Sequence, residues 1–525
     1  MHSNLRFVWV LVLLRACFEA SAQELTHAGQ ATELTHDTSN PRRNERLMVS
    51  SLAGGPRTVS SGSQAATQVV NPLPTLLTEL LDDEEDDAQA RNSIATTLLT
   101  PLWRVLVSGN DYMTTASLTE RAPYPSEGAY AYVPIASSAN TVPMYRLSET
   151  SLVPPDHRDS SGPGTGIYST NGILGYPFAS AATGLSQLIN VSNSHDNATL
   201  NEGESKSGYS SRSPMPLWGY PRYNNNPTVL VPITSRSGTG ALTFASNSVA
   251  GGAIWSWKWS GTEFVNTVDY GREIQAAIFY PGSDNKFHNP TEAGSGLSGP
   301  DLTAQDKQGS PIIYSRNTTA SLHETRAIPL EWDPSSFGGG SANPVIYSQI
   351  QLGKSIYLDY LPETATYSVA KYVTHVVLPS TLNGAQIEIP TGYLLSSFNT
   401  FYTYDAGASA PSLNQVHPPQ IQPPQQCALT NSTGFTPASG YGGVVISNST
   451  GSLAMGVYGA MMQNGGSVFE FALFDFIYCY GASKWSAAYS GPVSAGETTY
   501  NTYIVTGTLD GVRVGMSNLY QGGAK

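Results

Sequence analysis

Tyr132, Tyr176 and Tyr220 stand 44 residues apart, and each lies within two residues of a proline. The segments around them recur as well. Leu102-Trp103-Arg104 returns as Met144-Tyr145-Arg146 and, more loosely, as Leu185-Ser186-Gln187. A polar patch follows each start: Asp111-Tyr112-Met113-Thr114-Thr115, then Asp156-His157-Arg158, then His195-Asp196-Asn197-Ala198-Thr199. One unit of this size cannot bury its own apolar face, whereas three that share a centre can. Residues 101–224 are therefore expected to form a pseudo-threefold, β-trefoil-like module. Its recurring aromatics serve either as the core or as platforms for sugar rings.

The units read Tyr-Arg (Tyr145-Arg146), Asp-His with Thr nearby (Asp156-His157), then Gly-Tyr (Gly175-Tyr176 and Gly219-Tyr220). In this they resemble a three-repeat domain of unknown function found in exported bacterial proteins. The resemblance covers about 120 residues and implies an accessory module of the kind that binds surfaces or glycans.

Past the repeat the chain offers short apolar runs at close intervals, from Thr228–Ile233 to Thr499–Val514. In Tyr372–Leu378 the even positions Tyr372, Thr374, Val376 and Leu378 alternate with Val373, His375 and Val377, the period of a strand. Only 12% of residues are charged, and 50 Gly and 35 Pro supply turns. The fold class is all-β, with residues 225–517 expected as one large two-sheet β-sandwich. Pro411–Pro424 is a Pro- and Gln-rich loop. The stretch Gly251–Glu292, with Phe401–Asp405, Met455–Tyr458 and Val505–Leu509, resembles uncharacterised exported bacterial proteins of the galactose-mutarotase-like, supersandwich fold. That fold is shared with aldose epimerases and many polysaccharide lyases. The resemblance implies the fold and carries no activity over to these residues.

The start reads as a secretory signal over residues 1–22. Arg6 opens it, Phe7–Leu14 is apolar, and Ala20-Ser21-Ala22 offers small residues for cleavage. No later stretch reaches the ~20 apolar residues of a membrane span. Export makes a Cys427–Cys479 disulfide and glycans on Asn190, Asn197, Asn317, Asn431 and Asn448 expectations. Residues 23–100 are expected as a disordered leader with an acidic helix, in which Leu76, Leu77, Leu80 and Leu81 precede the run Asp82–Asp87. Arg42-Arg43 and Arg46-Leu47 ahead of that run loosely resemble the translocation leader of oomycete RxLR-type effectors. A literal Arg-x-Leu-Arg is lacking. A secreted effector with a host target is the function that resemblance would imply.

Net charge is −13 and basic residues are not clustered, which argues against nucleic acid. Zinc spacing, a phosphate loop and a Gly-x-Ser-x-Gly elbow are all missing; no cofactor and no metal are implied. The densest chemistry lies in 251–294. Trp255, Trp257 and Trp259 alternate with Ser256 and Lys258, so all three indoles are expected on one strand face, either as core or as a stacking surface for a pyranose. Asn266, Gln275 and Asn289 would bind hydroxyls. Arg272 could clamp a carboxylate, with Tyr270 or His288 taking the α-proton in a lyase. A hydrolase would instead pair Asp269 with Glu292. Structural ion pairs about Arg272 are the competing reading. His323-Glu324 and Glu331-Trp332-Asp333 read as surface, and His375 as a satisfied structural histidine. The leading expectation is a secreted glycoprotein that binds or acts on carbohydrate; an effector and a structural wall or matrix protein are the alternatives.

Overall fold

The computed structural model describes residues 92–524 apart from 109–110, 150, 152–155, 194–195, 203, 205, 222–241, 247–249, 268–271, 296–308, 320, 338–342, 409–410, 421–431 and 461–467. The signal, nearly all of the leader, Asp269, Tyr270, Cys427 and Asn431 lie outside the described residues. The disulfide expectation falls there with Cys427.

Residues 97–221 fold as three successive units with one pairing scheme. The first unit holds β1 (Thr97–Ser108), β2 (Asp111–Thr115) and β3 (Ser126–Pro134). The second holds β4 (Met144–Glu149), β5 (Asp156–Ser160) and β6 (Tyr168–Gly175). The third holds β7 (Ser186–Ser192), β8 (Asn197–Asn201) and β9 (Ser211–Pro221). In each unit the first strand is central and pairs antiparallel with the other two. Trp103, Tyr132 and Tyr220 are buried in a shared apolar cluster, while Tyr176 is half-buried. The recurring Trp103, Tyr132 and Tyr220 therefore supply core, and Tyr132 and Tyr220 offer no platform to a ligand.

The larger part of the chain is an all-β sandwich of two antiparallel sheets. One sheet runs β10 (Leu242–Ser246), β11 (Ile254–Trp259), β13 (Ile274–Pro281), then Leu382–Leu395, Ala482–Val493, Val468–Phe476 and Ser432–Phe435. A short β12 (Thr262–Glu263) folds back on β11. The other sheet has nine strands among the described residues. It begins Ile312–Thr319, Leu322–Ala327, Gln351–Tyr357, Tyr367–Leu378 and Gly496–Gly507, and ends at Leu413–Val416. Facing side chains such as Ile254, Trp257, Tyr372, Val376, Ile387, Phe471, Trp485 and Ile504 form one core between the sheets. Tyr372, Val376 and Leu378 enter that core, as period-two alternation requires.

Two sequence expectations change here. The run Thr499–Val514 is strand only to Gly507; Leu509–Gln521 is a helix. Thr508 caps it, its Oγ1 accepting from Gly511 N at 3.1 Å. Val512, Met516 and Leu519 then fall on one helical face and pack on the outer side of the nine-stranded sheet, against Val369, Val445 and Val505. The leader also ends earlier than residue 100. Asn92 Nδ2 donates to Pro281 O and Asn383 O, both at 3.0 Å, and Ile94 is buried in the sandwich core.

Candidate functional site

The tryptophan strand β11 does not present three indoles to one side. Ala245 pairs with Ser256 but Ser246 pairs with Ile254, so Trp255 is the extra residue of a β-bulge. A bulge breaks the alternation and re-aims the side chain it carries. Trp257 and Trp259 go inward; Trp257 is fully buried, lies against Phe244 with ring centroids 5.5 Å apart, and donates from Nε1 to Thr506 Oγ1 at 2.9 Å. These two indoles are core, which corrects the expectation that they bind a sugar. Trp255 remains half-buried on the other side, its ring resting on Ala250, Ala253 and Ala293.

There it borders a groove of about 420 Å³ lined by Thr243, Phe244, Ala245, Trp255, Ser256, Lys258, Glu263, Val265 and Thr267. Thr243 stands opposite Lys258 and Ala245 opposite Ser256 in the ladder, so these four share the outward face. The hairpin that carries Lys258 and Glu263 closes through a two-residue turn whose residues Ser260 and Gly261 both have positive φ, 51° and 78°, the backbone that suits a tight hairpin. Glu263 is occupied within the wall. One carboxylate oxygen accepts from Trp257 N, Phe264 N and Val265 N at 2.9–3.0 Å, and the other from Ser256 Oγ. Lys258, its direct partner across the hairpin, has no hydrogen-bond or ion-pair partner among the described residues. The groove thus combines an indole, hydroxyls and one ammonium.

The other expected site residues do not gather there. Asn266 is buried and donates from Nδ2 to Gly481 O at 2.9 Å. Gln275 is buried, its Oε1 accepting from Ala293 N at 2.8 Å. Asn289 donates its backbone N–H to Glu331 at 2.8 Å, and Arg272 is half-buried. Glu292 has no exposed surface; it pairs with the equally buried Lys354 and accepts from Ala276 N at 3.1 Å. So placed, Glu292 meets no solvent-borne substrate. His288 is buried between Tyr347 Oη, 2.9 Å from Nδ1, and Asp284, 3.0 Å from Nε2, with Tyr280 stacked on its ring at 4.7 Å. Burial holds its pKa below the usual imidazole value.

Of the two clusters read as surface, Asp333 is exposed and Glu324 and Trp332 half-buried, but His323 and Glu331 are interior. His323 is fully buried, bonded to Ser246 Oγ at 2.8 Å and Asn317 Oδ1 at 2.9 Å, and burial lowers its pKa to about 4. Glu331 is buried against Tyr347, and burial pushes its carboxyl up to about 7. Hydrogen-bonding sequences of this kind can satisfy buried polar groups as readily as they face water. His375 is satisfied, by Ser355 Oγ at 2.8 Å and Glu497 at 2.9 Å. Of the glycan acceptors, Asn190 Nδ2 donates to Asp159 O and Asn197 Nδ2 to Asp156, at 3.1 and 2.8 Å. Both amides face into the module. Asn317 is exposed, and Asn448 is half-buried with its amide on Ser452 Oγ.

A second polar centre lies where the three repeat units meet. Asp111, Asp156 and Asp196 bring one carboxylate oxygen each to within 4.8 Å of the others. Asp196 accepts from Asn197 N at 2.7 Å, from Tyr112 N at 3.3 Å and from Tyr209 Oη. Both oxygens of Asp111 are buried and have no hydrogen-bond partner among the described residues; His157 Nδ1 is 3.8 Å away. Burial, then the charges of Asp196 and Asp156, push the Asp111 carboxyl up to about 7. Burial also raises Asp156 and Asp196. Among the described residues this is the set whose oxygens could hold a hard cation. The repeat contained the signal, since each polar patch carries one aspartate, but spacing alone did not say that the three converge.

No family model matches the chain, and no curated protein matches it. Solved structures similar to it include a galactose mutarotase-like protein from Lactobacillus casei, 8% identical, TM-score 0.27, covering 52% of this chain and 98% of that one. The GH36 α-galactosidase AgaA from Geobacillus stearothermophilus is 8% identical, TM-score 0.28, over 53% of this chain and 41% of that one. A heparan sulfate lyase from Pedobacter heparinus is 10% identical, TM-score 0.21, over 51% and 33%. Likenesses of this size bear on neither family nor activity.

Proposed function

We propose that the protein is a secreted carbohydrate-binding protein whose groove at Trp255 receives a sugar ring. The observation that carries this reading is the bulge. It takes one indole of three out of the core and sets it on the wall of a groove of about 420 Å³, within the ~300–1,000 Å³ of ligand pockets. The face of an aromatic ring suits the C–H face of a sugar, and Thr243, Ser256 and Thr267 supply hydroxyls for its polar rim. Binding is favoured over cleavage because Glu292 and His288, expected as acid or base, are packed inside the protein. The signal-like first 22 residues belong with this reading, since an exported protein meets glycans.

The test is a titration of the full chain against neutral and acidic oligosaccharides, read by calorimetry and by indole fluorescence. Saturable binding that Trp255→Ala weakens at least tenfold, in a variant that stays folded at the titration temperature, supports the proposal. Binding that is absent for every glycan, or indifferent to Trp255→Ala, removes it.

A further inference from the structure

We infer that the groove prefers a sugar bearing an anionic group, carboxylate or sulfate, and that Lys258 is the residue that selects it. The inference rests on the glycan reading of the groove and adds the ligand's charge. Two of the lining residues are charged, Lys258 and Glu263, and they stand directly opposite each other across the hairpin. Such a pair would ordinarily neutralise itself. Here the two form no ion pair, because the Glu263 carboxylate is turned to the backbone. Three N–H groups and the Ser256 hydroxyl occupy its oxygens, which are consequently weak acceptors for anything else. The ammonium of Lys258 is left with no acceptor among the described residues, on the same outward face as Thr243 and Ser256.

An ammonium without an ion-pair partner attracts an anion, and a charge-assisted hydrogen bond is about twice as strong as a neutral one. The attraction has to be local. The whole chain carries −13, so long-range steering opposes an anionic polymer and added salt screens that repulsion first. One ammonium beside a stacking ring and hydroxyls fits a single acidic sugar residue. It does not fit the repeated phosphates of a nucleic acid, which need clustered basic groups.

The experiment compares oligogalacturonate, a sulfated oligosaccharide and the methyl-esterified oligogalacturonate on the wild-type full chain, Lys258→Gln and Lys258→Arg. The expected result is binding of the anionic ligands about tenfold tighter than the ester. Lys258→Gln should erase that gap while leaving affinity for the ester unchanged, and Lys258→Arg should keep the gap. Preference for only one of the two anionic ligands identifies which group the site takes and supports the inference. Equal affinity for the ester and the acids overturns it while leaving the glycan reading intact. Loss of all ligands equally in Lys258→Gln also overturns it, since the lysine would then be only part of the wall. Absence of binding to all three in the wild type, with neutral glycans also inert, overturns both.

Discussion

Thr114 and Thr199, from the first and third repeat units, donate to the same oxygen: each Oγ1 lies 2.6 Å from Oδ2 of Asp159 in the second unit. The carboxylate is buried, and burial raises its pKa. These three residues each stand three positions after Asp111, Asp196 and Asp156 respectively, so the module has two layers of triads along its centre. Removing one donor leaves the acid with the other, so Thr199→Val is expected to cost about 1–2 kcal/mol. The double variant with Thr114→Val should cost more than the sum of the two singles. Urea unfolding of the four proteins measures this.

The aspartate centre makes stability depend on pH. Asp111 has a folded pKa of about 7 against an ordinary 3.8, so between those values the folded protein binds more protons than the unfolded chain. Its contribution is therefore present at about pH 4, declines as pH rises through about 7, and is gone above that. Asp111→Asn should flatten this fall and raise stability at pH 8 by on the order of 1–2 kcal/mol, reduced from the full shift because the residue as a whole is only half-buried. Unfolding curves of the wild type and Asp111→Asn at pH 5 and pH 8 in a chelating buffer read this, the variant cancelling the opposite trend of buried His288 and His323; a wild-type-minus-variant stability that does not fall from pH 5 to pH 8 contradicts it.

Neighbouring tryptophans should differ in what they cost. Trp257 is wholly buried and hydrogen-bonded, so Trp257→Phe should lose about 2–3 kcal/mol and Trp257→Ala about 3–5 kcal/mol. Trp255→Ala, at the bulge, should lose about 1 kcal/mol. Equal costs in denaturant titrations would show that Trp255 is as much core as Trp257.

Lys354 and Glu292 form an ion pair with no exposed surface on either side chain. Lys354→Met strands a buried carboxylate and is expected to cost about 3–5 kcal/mol. Adding Glu292→Gln should recover a measurable part of that loss, since the uncompensated charge is then gone. A thermal-melt series on both singles and the double variant decides; a double variant worse than the sum of its parts argues for a different role.

The sheets were readable because alternation is a local signal. Tyr372–Leu378 announced a strand in the residue order itself, but with both faces apolar the order did not say that Tyr372, Val376 and Leu378 turn inward. The helix at Leu509–Gln521 was missed because Val505, Leu509, Val512 and Val514 look like a strand until Thr508 is recognised as a cap. The groove was half visible. The density of aromatic and polar residues in 251–294 pointed to a stretch that includes part of the groove lining, yet the bulge at Trp255 depends on how Ser246 and Ile254 pair, and no periodicity within β11 reveals it. Glu292, His288 and His323 carry chemistry that suits a site equally well inside or outside; only the tertiary partners Lys354, Tyr347 and Ser246 determine which.

β1 belongs to both parts of the molecule. Its first residues, Thr97 and Leu98, pair with Ile346 and Val345 of the sandwich, and from Leu99 onward it is the centre of the first repeat unit. Ile328, Leu330 and Ile346 share an apolar cluster with Trp103, Tyr132 and Tyr220. Among the described residues the two parts are thus joined by ladder hydrogen bonds as well as by packed side chains. Loosening either half at this seam therefore exposes apolar surface of the other, so the two are expected to unfold together rather than one by one.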